Sequence, residues 1–415
     1  MKRLLLLFVI VIINVGIVFA QQVDNKKLQD VKYRRSSLHT ILMESDIFPY
    51  KDTVIGAYYK APFPEKYNNH TVGEKSFDPK QFGINGDTSS TNIPVIIENY
   101  LKQKKVANQM VAKWFNRQED GAFDMSLIGE RGSYNASEME ARVADKTARG
   151  TTSLADAGEE LIGNTFVVVS KLFFLSNEGP AYAALLVSRA LTNNMSGMAK
   201  TIAEKVADIA YKKAREGYSV WTTSYLYKLQ WNDSISSIFY NDYWMDKNSI
   251  DPAKKEKFDN SELFSLQFIG SEKSRSLVTG SFKEQRGAEK LVEMATIRTI
   301  DNVYSKLQKK YDVFKTKTPL LSGEPITAEI GLKEGLESGD RFEVLEQTID
   351  KEGKTKYVRK GVIKVDGKQI WDNRYAAGQE PGTDSTQVSK KPILKATTFK
   401  GGKDLYPGLL IRQIK

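Results

Sequence analysis

Apolar residues recur along this chain in two periods, and the points where one period gives way to the other mark its elements. Residues 53–59, Thr53 through Tyr59, form a β-branched and aromatic run closed by Pro62 and Pro64, which predicts a strand. A Gly/Asp/Ser-rich stretch over 75–91 reads as a loop. Between 93 and 115, Ile96, Ile97, Tyr100, Leu101, Val106, Met110, Val111, Trp114 and Phe115 fall mostly at helical spacing and predict one amphipathic helix. Ser137 and Glu140 match a capping box, in which hydroxyl and carboxylate each satisfy an orphan helix N–H. A further helix over 153–162, stopped by Gly163-Asn164, delivers the apolar run Phe166-Val167-Val168-Val169, a buried strand reaching Leu175.

Residues 181–216 carry Leu185, Leu186, Met195, Met198, Ile202, Val206 and Ile209 on or near one face of a predicted long helix, which Gly217 closes as a C-terminal cap. Period two follows over 218–231, where Trp221, Thr223, Tyr225, Tyr227, Leu229 and Trp231 share one side of a strand. Residues 262–269 repeat that pattern, residues 284–310 return to the helical one, and residues 311–314 read as a strand. The order strand, helix, strand, strand, helix, strand predicts an α/β sandwich over 151–318.

The texture changes at Pro319-Leu320-Leu321-Ser322-Gly323-Glu324-Pro325, after which Gly-punctuated short strands replace helical periodicity. Strands are expected over 326–330, 341–347, 356–365 and 408–414, with Glu352-Gly353 as a hairpin turn, so residues 319–415 should form a small all-β barrel of the SH3/OB-like kind. The fold class expected for the whole chain is α+β. Residues 21–150 are read as a helical and irregular region packing on the main domain.

The turn Gly331-Leu332-Lys333-Glu334-Gly335-Leu336-Glu337-Ser338-Gly339-Asp340 needs left-handed glycines and tucks Leu332 and Leu336 beneath them before the strand carrying Phe342 and Val344. Together with residues 405–412, Leu405 through Arg412, it resembles the small C-terminal barrel of flagellar assembly protein T and of secreted proteins with a curli-secretion-channel-like α/β domain. The helix-to-strand segment 154–169 is similar to that α/β domain. The resemblance implies a fold and a cell-envelope setting, and it transfers no functional residue. The lipidated Cys of the curli channel family has no counterpart here.

Composition narrows the chemistry. The chain has 415 residues, no Cys and two His, so thiolate nucleophiles, disulfides and Cys-ligated metals are excluded, and His39 and His70 cannot build a His-rich site. No cofactor and no metal site is expected. Lys2 and Arg3 ahead of an apolar run over 4–19, with Val18-Phe19-Ala20 before Gln21, predict a secretory signal over residues 1–20; an uncleaved anchor is the competing reading. No later segment is apolar enough for a helical span. The expected location is the periplasm or the outer-membrane periphery, with the extracellular side left open.

A formal charge of +10 suggests an anionic partner. It concentrates at the C-terminus, where Lys390, Lys391, Lys395, Lys400, Lys403, Arg412 and Lys415 oppose only Asp404 over residues 386–415. That stretch is a candidate contact for a glycan or lipid surface, or a set of lysines protecting an edge strand. Nucleic acid is not expected. Trp221, Tyr225, Tyr227, Trp231, Tyr243 and Trp244 form a candidate aromatic face for binding or packing. With Glu159, Glu160, Asp233, Asp242 and Asp246 nearby, they leave open a carboxylate-based glycan hydrolase. The alternation over 218–231 leaves open one arm of an oligomeric membrane barrel. The expected function is a non-catalytic envelope binding or assembly protein that recognises a protein partner or an anionic component, with self-association among its modes.

Overall fold

The structure, a computed structural model, describes residues 34–83, 92–135, 161–279, 287–349, 355–375, 377 and 394–414. The chain ahead of residue 150 supplies a central strand. β1 (Ser37–Met43) is flanked on one side by the two-residue strands β2 (Asn68–Asn69) and β3 (Ser76–Phe77), and on the other by β4 (Thr165–Ser176), all parallel to it. β5 (Gly217–Leu229) and β6 (Leu266–Thr279) continue antiparallel, so the sheet runs β2-β1-β4-β5-β6. Parallel pairs are normally covered on both faces. Here β1 and the first half of β4 are buried almost throughout.

Residues 53–59 are helical and not extended: α1 (Lys51–Lys60) buries Val54, Ala57 and Tyr58 at spacings of three and four. Its β-branched and aromatic content favours a strand locally, and burial of that one stripe overrides it. The stretch 93–115 is two helices, α2 (Ile93–Gln103) and α3 (Val106–Trp114). Lys105 takes the left-handed conformation at the break, with φ of 49°. Its ammonium donates to the carbonyls of Asn260 and Ser261 and pairs with Glu262 at 2.6 Å, contacts that hold the bend from a distant part of the chain. α4 (Ser126–Asn135) follows. The capping box at Ser137 and all but the last turn of the helix expected over 153–162 lie outside the described residues.

Two helices replace the single one expected over 181–216: α5 (Glu178–Thr192) and α6 (Gly197–Ala214). Beyond β5 come α7 (Asp233–Ile238) and α8 (Pro252–Asp259), and beyond β6 the long α9 (Ala288–Lys310). The run 311–314 is a 3-10 turn over Asp312–Phe314 and not a strand; it drives Phe314 into the core, where its ring stacks 4.9 Å from Tyr67. One face of the sheet carries α1 and α9 over Leu38, Leu42, Phe166, Val168, Leu172, Val220 and Leu226. The other carries α2, α3, α7 and α8 over Ile41, Met43, Val167, Val169, Tyr227 and Leu229. A sheet with helices on both faces follows from strands whose alternate residues are apolar on both sides.

The barrel is closed and antiparallel. Its strands are β7 (Thr318–Gly323), β8 (Ile326–Ala328), β9 (Arg341–Ile349), β10 (Thr355–Val365), β11 (Thr397–Lys400) and β12 (Leu410–Gln413), in the order β10-β11-β8-β7-β12-β9. The Pro-rich segment 319–325 is thus largely the first strand and its turn. Leu320, Ala328, Phe342, Val344, Ile363, Val365, Phe399 and Ile411 fill the interior. The Gly331–Gly339 turn docks on α9. Gly335 and Gly339 are left-handed at φ 67° and 94°, and a side chain on Gly335 would strike Ser305, whose hydroxyl donates to Glu334 O at 3.1 Å. The Glu352-Gly353 turn lies outside the described residues.

Both histidines are buried in the larger domain. His70 Nδ1 sits 2.9 Å from the Arg131 guanidinium and Nε2 sits 2.9 Å from Met110 O, so the ring is neutral, with Nε2–H donating. His39 has no hydrogen-bond partner among the described residues, and burial, with Lys113 and Lys75 nearby, pushes its pKa down to about 3. A folded pKa below the unfolded one means that the unfolded chain binds the proton first. Stability is therefore full above pH 6.5 and lost as pH falls toward 3, by about 4 kcal/mol from His39 alone. His39→Leu is expected to flatten this acid limb in urea titrations between pH 4 and 7. An unchanged slope would contradict the burial argument.

Candidate functional site

Most of the apolar positions legible in the sequence are core, and the largest group of exposed ones lies on β4, β5, β6 and the two helices between β4 and β5. β4 and β5 extend past the helical layer on the α2/α3 face, and burial along β4 falls from complete at Phe166–Val169 to half exposure at Phe173 and Leu175. Phe173 lies opposite Trp221 in the ladder, Trp221 opposite Arg275, and Ser219 opposite both Leu175 and Leu277. Paired residues share a face, so Phe173, Leu175, Trp221 and Leu277 form one open apolar patch. The Arg275 guanidinium covers the Trp221 ring at 5.2 Å. The opposite face, with Leu172, Val220 and Val278, is closed by α9.

From this patch rises a helical arm, α5 and α6, joined through Asn193-Asn194 and a left-handed Gly197. Asn177 fixes its base: Nδ2 donates to Val278 O at 3.3 Å and Oδ1 accepts from Ser219 at 3.0 Å. The two helices touch through Arg189 and Asp208 at 2.9 Å and through the rings of Tyr182 and Tyr211. α6 buries no residue and α5 buries only Ala181, Leu185 and Thr192.

The apolar residues of the arm point away from this seam. On α6, Ile202, Val206 and Ile209 lie about 100–180° round the helix from Asp208 and Tyr211, at about 100° per residue. On α5, Val187 and Leu191 lie similarly opposite Arg189. Met198 is 81% exposed, Leu191 72%, Val187 61% and Val206 60%. The arm thus presents one greasy stripe on each of two opposite flanks. Ile202 and Ile209 are exposed beside them at 56% and 52%, whereas Tyr182 and Leu186 lie on the seam side of α5; exposed apolar stripes of this kind mark association surfaces.

Of the aromatic face expected from the sequence, Trp221 alone is largely exposed. Tyr225, Tyr227, Trp231, Tyr243 and Trp244 join the core on the α2/α3 side, Trp231 against Phe115 and Phe239, Trp244 stacked on Phe123. Leu226 and Tyr227 point to opposite faces and are both buried because helices cover both faces there; the bulge at this point leaves Ile269 of β6 as the extra residue. The carboxylates have local duties. Asp242 pairs with Lys257 at 2.9 Å, Asp246 accepts from Asn248 N at 2.7 Å, and Asp233 sits in the first turn of α7. Glu159 and Glu160 lie outside the described residues.

The C-terminal cations do not gather as their spacing suggests. Lys400 pairs with Asp366 at 2.9 Å, Lys395 and Lys403 are exposed, and Arg412 turns inward to Glu343 at 2.7 Å. Lys390, Lys391 and Lys415 are outside the described residues. The arm is what the sequence reading missed: its periodicity was legible, and Asn193-Asn194 followed by Ser196-Gly197 is the turn signal that divides it in two. Among the described residues, no cluster of three or more His, Asp or Glu could hold a metal, and no helix is long and apolar enough to cross a membrane. No family model matches the chain, and no curated protein matches it in sequence.

Proposed function

We propose that this chain is a non-catalytic assembly component of the bacterial cell envelope, which associates with further copies of itself through the helical arm. The observation that carries the reading is the pair of exposed apolar stripes on opposite flanks. A two-fold dimer would cover one stripe of each copy and leave the other in water. Head-to-tail packing, the α5 flank of one copy on the α6 flank of the next, covers both. Each such contact would cover Val187 and Leu191 of one copy and Met198, Ile202, Val206 and Ile209 of the next, and the Trp221 patch beside the arm adds to it. The leader-like residues 1–20 support export, and the likeness of the barrel turn to envelope proteins supports the setting.

Size-exclusion chromatography with light scattering on the purified full chain tests this, with and without detergent. A multimer larger than a dimer in both is expected. A stable monomer in both would overturn the reading, and a multimer formed in detergent alone would favour a membrane-inserted arm and the pore alternative.

A further inference from the structure

A second feature lies far from the arm in sequence, where the barrel meets the larger domain. A cleft of about 200 Å³ is lined by Arg35 and Ser36 at the start of β1, Lys66 before β2, Lys315 and Lys317 in the link into β7, and Arg412 of β12. Five cations line it, and among the described residues Asp312 is the one carboxylate that does. Asp312 pairs with Lys315 at 2.6 Å, and Glu343, beneath the wall, holds Arg412. Lys66 donates to Glu329 O at 2.9 Å, which ties the domains together across the cleft. The Lys317 ammonium is half-buried, 4.1 Å from the Tyr357 ring.

Positive charge is therefore in excess here. Burial first, then the neighbouring Arg412 and Arg35, push Lys317 down to about 8 against the pull of Glu343. An arrangement that makes a lysine easier to deprotonate is a poor one for an isolated fold and a suitable one for receiving an anion. Two guanidiniums and three ammoniums offer many donors to several oxygens, which matches a phosphate better than a single carboxylate. Among the described residues Val313 is the one apolar side chain in the lining, which favours a phosphate over a base or ring.

We propose that the cleft between barrel and sheet domain is a binding site for a phosphate group, held by Arg35, Lys66, Lys315, Lys317 and Arg412. The phosphate is either free or the headgroup of a lipid. Binding holds Lys317 protonated, so affinity is highest below pH 8 and falls as pH rises through 8 toward 10.

Isothermal titration of the full chain with sodium phosphate, at constant ionic strength, tests the free form. Co-sedimentation with phosphatidic acid in phosphatidylcholine vesicles, against phosphatidylcholine alone, tests the lipid form. Saturable binding in either arm that weakens tenfold or more in Lys317→Gln, survives in Lys317→Arg, is unchanged in Lys247→Gln and declines above pH 8 supports the site. Lys317→Gln removes a repelled charge, so its thermal midpoint should match or exceed that of the parent. No saturable response in either arm, or binding indifferent to Lys317→Gln, overturns the proposal.

Discussion

Ile202→Glu combined with Val206→Glu should turn the multimer into a folded monomer. Both residues are exposed on α6 and face neither the sheet nor α5, so the isolated chain loses no packing. Glutamate is also a better helix former than either β-branched residue. In a flank-to-flank contact, however, the two carboxylates would be buried against the Leu191 and Val187 stripe of the next copy without partners. An unpaired charge buried in this way costs several kcal/mol, so association should weaken at least about a hundredfold. Circular dichroism and the urea midpoint should match the parent while light scattering reports a monomer. Thr201→Glu, exposed on the same helix but off the stripe, should leave the multimer intact.

Trp114→Ala should be the most damaging single change to the fold. Trp114 is fully buried at the end of α3, and three elements meet on it. Its indole N–H donates to Thr165 Oγ1 at 2.9 Å, tying α3 to the start of β4. The Arg131 guanidinium lies over its ring at 4.5 Å while donating to Ser37 Oγ, His70 Nδ1 and Asn69 O. Removing the indole leaves a large cavity, and it takes away the apolar cover and cation–π partner of a buried cation. About 4–5 kcal/mol of stability should go, a large part of what an ordinary domain has. Trp114→Phe fills most of the cavity and loses the hydrogen bond, and should cost about 1–2 kcal/mol. Urea denaturation followed by far-ultraviolet circular dichroism reads both. A loss under about 1 kcal/mol in Trp114→Ala would contradict the packing account.

The mixed α/β sheet and the small barrel were legible because their elements are long and strictly patterned. The Phe166–Val169 run is a central strand, the 218–231 alternation is β5, and the turn at Gly331–Gly339 bends through left-handed glycines as its spacing requires. What was not legible depends on partners distant in sequence. α1 reads as a strand until Val54 and Tyr58 meet α9, and the break at Lys105 is held by carbonyls of residues 260 and 261. β1 hides in a polar N-terminal stretch, because Ser37, His39 and Thr40 look exposed and are buried or nearly so beside β4. The arm was legible as an amphipathic segment and read as one helix of the sandwich, since periodicity gives the apolar face without saying what covers it. Arg35, Lys66, Lys317 and Arg412 are scattered over nearly the whole chain, and only the closing of the barrel against the sheet domain brings them together.

The absence of cysteine allows a direct test of the head-to-tail contact. Val187→Cys and Val206→Cys place a thiol on the α5 and α6 flanks respectively, each at an exposed position. Under mild oxidation, the mixture of the two single variants should form an inter-chain disulfide, and a chain carrying both should form a ladder of covalent multimers. Either variant alone should stay largely uncoupled. Efficient coupling of Val206→Cys to itself, with no disulfide joining Val187→Cys to Val206→Cys in the mixture, would show a two-fold contact and contradict the head-to-tail assembly.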